Sequence, residues 1–136
     1  MTPWVIGILV FLFVDFLIVL YVFFKRSKKN AFSSKELEYI RSHWIRIIDS
    51  FSSHPDHAIL DADKLLDYAL TKKGKTGSLG EKLKKSSALF SDINSVWSAH
   101  KLRNRVAHEM GSVDRSKAKL ALKQFKRALN DLGAKL

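Results

Sequence analysis

The chain has 136 residues, 24 Lys and Arg against 13 Asp and Glu, a formal net charge of +11, and no cysteine. That length leaves room for one small domain plus an appendage, and the lack of cysteine excludes a disulfide framework, thiolate catalysis and cysteine-ligated zinc. A positive excess of this size points to a polyanionic partner, either nucleic acid or anionic lipid.

Residues 4–24 are apolar apart from Gly7, Asp15 and Tyr21. At 1.5 Å per residue this is long enough to cross a hydrocarbon core of about 30 Å. Asp15 costs about 2.5–3.5 kcal/mol on the insertion scale, whereas roughly seventeen Leu, Ile, Phe and Val residues supply about −7 kcal/mol, so insertion wins. A cleaved signal peptide fits less well. The first residues hold no Lys or Arg, the apolar run is too long, and no small-residue cleavage site follows. The expectation is therefore a transmembrane anchor with a basic flank over residues 1–29, followed by a domain over residues 30–136. Lys25, Arg26, Lys28 and Lys29 all lie on the C-terminal side of the span, so the positive-inside rule puts the N-terminus outside and the domain in the cytoplasm. Without these flanking residues the domain still carries roughly +8. Asp15 reads either as a tolerated polar group or as a contact between two copies of the span.

The soluble part opens with a helix-start signal. Ser33 is a candidate N-cap, Glu36 its capping-box partner, and Phe32 with Leu37 a hydrophobic staple. Leu37, Ile40, Trp44, Ile47, Ile48 and Phe51 recur at helical spacing until Ser52, Ser53, His54 and Pro55 end the run. A second helix is predicted from about residue 56, with Ala58, Ile59, Ala62, Leu65, Leu66, Ala69 and Leu70 as its buried face, stopping before Gly74. The glycine-rich residues 72–80 contain Gly74-Lys75-Thr76, like the tail of a phosphate-binding loop. The earlier glycine and the preceding strand that such a loop needs are missing, so the stretch reads as a solvated basic loop. A short helix over 79–85 follows, then a longer one over about 90–110 closed by Gly111. Asp114 or Ser112 caps the last helix, whose Ala118, Ala121, Leu122, Phe125, Ala128, Leu129 and Leu132 form one apolar face among lysines. No segment alternates with period two. The fold class is all-α, a small up-down bundle of four to five helices preceded by a single transmembrane helix.

Residues 97–109 hold two histidines, two arginines and an asparagine. With His100 set at zero on a helical wheel, Arg103, Ala107, Asn104 and His108 fall between about 300° and 80°, forming one polar stripe with Gly111. Ala99, Leu102, Val106 and Met110 share an apolar arc near 200–280°, and Lys101, Arg105 and Glu109 a solvated one. Histidine with arginine suits one chemistry in particular. A neutral imidazole can take the proton of a ribose 2′-hydroxyl while a guanidinium holds the phosphate. Metal catalysis fits less well, because no Asp or Glu shares the stripe with the imidazoles, and no cofactor motif is present.

Residues 103–108 match an R-x4-H pattern with a polar residue directly after the arginine, and in this the chain resembles the HEPN superfamily of helical domains. Residues 61–66 and 97–102 also look like HEPN context, so the resemblance spans roughly residues 32–132. It implies an up-down bundle that dimerises through the motif helices, so the 90–110 helix would be the homodimer contact. It also implies a metal-independent endoribonuclease or a non-catalytic relative. Carried onto this sequence, Arg103 and His108 would be the catalytic pair and Asn104 would position them; from the helical wheel, His100 is a further candidate as a helper on the same stripe, and Arg105 points to solvent and is not implicated. No metal or cofactor is implied.

Other readings stand beside this one. The polar cluster fits an internal network as well, with His108 bonded to Asn104 and Arg103 paired to an acid such as Asp49, Asp61 or Asp63. Function would then be that of a non-catalytic adaptor or dimerisation domain at the membrane, docking on a partner protein, or of RNA binding without cleavage. A membrane-surface role for the basic helices is a further alternative.

Overall fold

The computed structural model describes every residue except Met110, and every side chain except those of residues 27–29 as well. Met110 on the predicted apolar arc, and the side chains of Lys28 and Lys29 in the basic flank, thus lie outside the described residues. The chain is all-helical and divides into two compact units, Met1–Ala31 and Phe32–Leu136.

The first unit is one helix, α1 (Pro3–Asn30), of 28 residues. Its stretch Pro3–Arg26 is long and apolar enough to cross a membrane, and none of it is buried. Side chains such as Phe11, Phe13, Val19 and Phe23 are each more than 60% exposed. Left in water, such a surface is unfavourable at roughly 25 cal/mol per Å2.

The second unit holds α2 (Ser34–Phe51), α3 (Pro55–Lys72), α4 (Leu79–Lys85), α5 (Ile93–His108) and α6 (Arg115–Asp131), with a 3-10 turn at Ser87–Leu89. All the buried hydrophobic residues, from Ile40 to Ala134, belong to it, so its core is complete without α1 and it is a folding unit by itself. The axis of the bundle is α3, which packs on α2, α4, α5 and α6. Its predicted inner face is buried at all seven positions, as is that of α6. Phe125, Ile40, Ile59, Leu66, Leu70, Leu83 and Leu129 are the large side chains sealed from solvent.

Local sequence sets the ends of these helices. Ser33 and Glu36 form a reciprocal capping box, Oγ of Ser33 accepting from the Glu36 N–H and the Glu36 carboxylate from the Ser33 N–H. Gly74 (φ +83°) and Gly133 (φ +100°) close α3 and α6 in left-handed turns in which Lys75 N–H reaches Leu70 O and Ala134 N–H reaches Leu129 O, both at 3.0 Å.

Three expectations need correction. First, α3 starts at Pro55, one residue early, because proline at the first helical position loses no hydrogen bond there. Second, α5 starts at Ile93 and not near Phe90, because Asp92 caps it through the Ser95 N–H while Phe90, extended after the 3-10 turn, drops into the core. Third, α5 ends at His108, and Glu109 (ψ 138°) leaves the helix before Gly111 is reached, so Gly111 is not its cap. In α2, Ile48 shares the helical spacing of the core residues and is 48% exposed. Of the two candidates for capping α6, Asp114 does so, accepting from Ser116 N–H.

Candidate functional site

The polar stripe of α5 meets α3 at a single carboxylate. Asp63 is 5% exposed, in the same arc of α3 as Ile59, Leu66 and Leu70, and its two oxygens face an imidazole and a guanidinium of α5. Nδ1 of His100 lies 2.8 Å from Oδ1, and Nε of Arg103 lies 3.3 Å from Oδ2. The first is a hydrogen bond. The second is within ion-pair range, but the Nε–H is not aimed at the oxygen, so it acts as a charge contact and leaves Nε without a hydrogen-bond acceptor. A buried carboxylate needs such company, since an unpaired one would cost several kcal/mol.

The carboxylate orders both partners. Pairing with Nδ1 leaves Nε2 of His100 with no protein partner among the described residues, in a side chain 13% exposed and flanked edge-on by the Trp97 ring at 5.9 Å. The Arg103 side chain is 30% exposed, and its Nη1 donates to Asn104 Oδ1 at 3.2 Å. No described residue accepts from its Nη2. Asn104 therefore takes its bond from its neighbour Arg103 and not from His108.

His108 is the last residue of α5, exposed, and makes no hydrogen bond or ion pair among the described residues. The predicted stripe is accordingly divided. Arg103 and His100 turn toward Asp63, while His108, about 140° around the helix from Arg103 and about 7.5 Å further along it, faces solvent. Within one copy the structure joins Arg103, Asn104 and His100 but does not bring His108 to them. Arg105 is exposed and lines a polar cleft of about 250 Å3 with Glu109, Asp114 and Lys117, apart from the motif residues.

A second buried charge bears on the same helix. Lys82 of α4 is 5% exposed, and its Nζ donates to Asp67 Oδ1 and Thr71 Oγ1, each at 2.7 Å. Asp63, Asp67 and Thr71 are spaced i, i+4, i+8, so one stripe of α3 receives α5 at one end and α4 at the other. The sequence reading missed Lys82 and the bond from His100 to Asp63. The wheel of α3 held the signal, since Asp63 lies within about 60° of Ile59, Leu66 and Leu70, where an acid must find a cation.

The remaining histidines are engaged at the surface. His43 stacks on Tyr39 at 3.8 Å and its Nδ1 meets Tyr39 O at 2.8 Å, while His54 and His57 stack at 5.3 Å. No group of three or more His, Asp or Glu among the described residues is arranged to hold a metal ion. The chain matches no family model, no curated protein and no solved structure.

Proposed function

We propose that the chain is a membrane-anchored, HEPN-like RNA-cleaving domain that works as a homodimer through α5. The observation that carries this reading is the contrast in α5 itself: Arg103 is held by Asp63 and Asn104 with Nη2 unclaimed, while His108 stands free at the helix end. Within one copy the two residues lie about 140° apart around α5 and about 7.5 Å apart along it, whereas two α5 helices facing each other across a two-fold axis would supply Arg103 from one copy and His108 from the other to one phosphate. The domain's excess of positive charge favours RNA as the ligand.

In the reaction, the imidazole of His108 takes the proton of the ribose 2′-hydroxyl, and that oxygen attacks the adjacent phosphorus. The bond from phosphorus to the 5′-oxygen breaks, the leaving oxygen regains a proton from the imidazolium or water, and the ends are a 2′,3′-cyclic phosphate and a 5′-hydroxyl. Arg103 binds the phosphate and stabilises the charge that builds on it. Asn104 and Asp63 position the guanidinium.

Purified residues 32–136 should cut single-stranded RNA in the presence of a chelator and leave cyclic phosphate ends. Arg103→Ala and His108→Ala should each lower the rate by at least about a hundredfold with the fold retained. Mixing the two inactive variants should restore cutting, because a mixed dimer rebuilds one complete site. Cutting that survives both substitutions, or that stops with a chelator, defeats the reading. Topology is tested on the full chain, which has no cysteine of its own. An impermeant maleimide should label Thr2→Cys but not Lys135→Cys in intact cells if the N-terminus is outside and the domain cytoplasmic.

The Asp63 pairing favours a second reading, in which Arg103 and His100 serve only to dock α5 on α3 and the domain is a non-catalytic adaptor or binds RNA without cutting it. Arg103→Ala would then lower the melting temperature or dimer affinity, with no turnover to lose.

A further inference from the structure

Helices α2 and α6 both lie on α3, and between them runs a groove of about 260 Å3 that the RNA reading does not use. Its apolar lining is Trp44, Ile48 and Phe51 from α2 and Leu122 from α6; the rest is Lys119, Lys123 and Lys126, with no carboxylate in the lining. The lysines are spaced i, i+4, i+7, so three exposed ammonium groups stand in one row on α6. On the same two helices Ile45 is 61% exposed and Leu120 56% exposed.

We infer that this groove is a docking surface for an anionic phospholipid bilayer. An apolar floor under a purely cationic rim matches an amphiphile with an acyl chain and a negative headgroup. RNA offers the charge and bases that stack on open aromatic rings, but the rings of this floor are not open: Trp44 is 7% exposed and the Arg115 guanidinium lies over the Phe51 ring at 5.8 Å. The chain also supplies proximity, since α1 is apolar enough to span a membrane and only residues 31–33 separate its end from the start of α2. So short a connection raises the local concentration of lipid headgroups around the domain, and weak docking suffices. Lysine stems lie along apolar surface with their ammonium groups in the headgroup layer, which places the row of α6 where lipid phosphates are.

The test is flotation of residues 32–136 with vesicles of phosphatidylcholine, with and without phosphatidylglycerol. Binding should require phosphatidylglycerol and weaken with salt. Replacing Lys119, Lys123 and Lys126 by alanine should lower partitioning on the order of a hundredfold, at the contribution of one lysine near a charged surface multiplied three times. Ile48→Ser, on a side chain already half exposed, should lower it several-fold with the charge unchanged. A charge-matched control, alanine at the exposed Lys84, Lys85 and Lys101, should have little effect, and melting curves establish that every variant folds. The inference is overturned if the domain does not float with anionic vesicles, or if the two lysine triples are equivalent. It is also overturned if the groove triple weakens RNA binding and leaves vesicle binding intact. The first two outcomes leave RNA cutting by Arg103 and His108 untouched, and the third would assign the groove to RNA without removing either residue, so the two readings fail separately.

Discussion

Lys82 and Asp63 are both buried charges at the seams of α3, and they are treated differently. Lys82 is closed: its ammonium bonds a carboxylate and a hydroxyl of α3, the side chain is 6% exposed, and it presents nothing to solvent. Asp63 is open: it is equally buried, but the two groups it orders, His100 and Arg103, have further nitrogens that no described residue claims. A closed pair can only hold α4 to α3. An open one holds α5 to α3 and at the same time fixes donors at the surface, which a phosphate-binding site requires.

This contrast can be broken by substitution. Replacing His100 and Arg103 together by alanine strips Asp63 of both partners and should cost about 3–5 kcal/mol in urea unfolding. Each single change should cost much less than half of that, because the other partner still faces the carboxylate. Additive single effects would mean that the two do not share Asp63 as a unit.

The closed pair should behave asymmetrically. Asp67→Ala leaves the Lys82 ammonium buried with a hydroxyl alone and should cost about 2–3 kcal/mol, whereas Lys82→Met, which removes the charge and keeps the stem, should be within about 1 kcal/mol of neutral. If Lys82→Met were the more damaging, the clasp would matter for more than electrostatics.

The smallest effect concerns how α5 is set in place. Hydrogen bonds from Ser95 hold the Asp92 carboxyl below the usual carboxylate range. Its folded-state value is thus depressed, so its contribution is fully present above the ordinary carboxyl range, near pH 4, and is lost as pH falls through the depressed value. Melting temperature followed from pH 6 to pH 2 should show a decrement in the native chain that is missing from Asp92→Asn, which keeps an acceptor but does not titrate.

Much of the fold was legible in the residues. Seven positions of α3, and six of α6 with Leu132 directly after it, could be named as buried because apolar side chains at i, i+3, i+4 and i+7 must share a face, and the capping box of α2 follows from Ser33 and Glu36 alone. The ends of α5 were less legible, since Asp92 and Glu109 compete with neighbours of similar chemistry. For the site, composition and spacing brought out Arg103, Asn104, His108 and His100 as a polar stripe. They offered Asp49, Asp61 and Asp63 as equal partners for Arg103.

By itself, then, the sequence determined which segments are helices, which face of each is apolar, and that α1 is apolar enough to span a membrane, because periodicity and hydropathy are properties of neighbours along one chain. Only the tertiary structure decided that α3 is the axis of the bundle, that Asp63 and not Asp49 or Asp61 receives His100 and Arg103, and that His108 is left outside. Those outcomes depend on the rotation and register of α5 against α3. Packing of the whole core sets that register, and no local spacing encodes it.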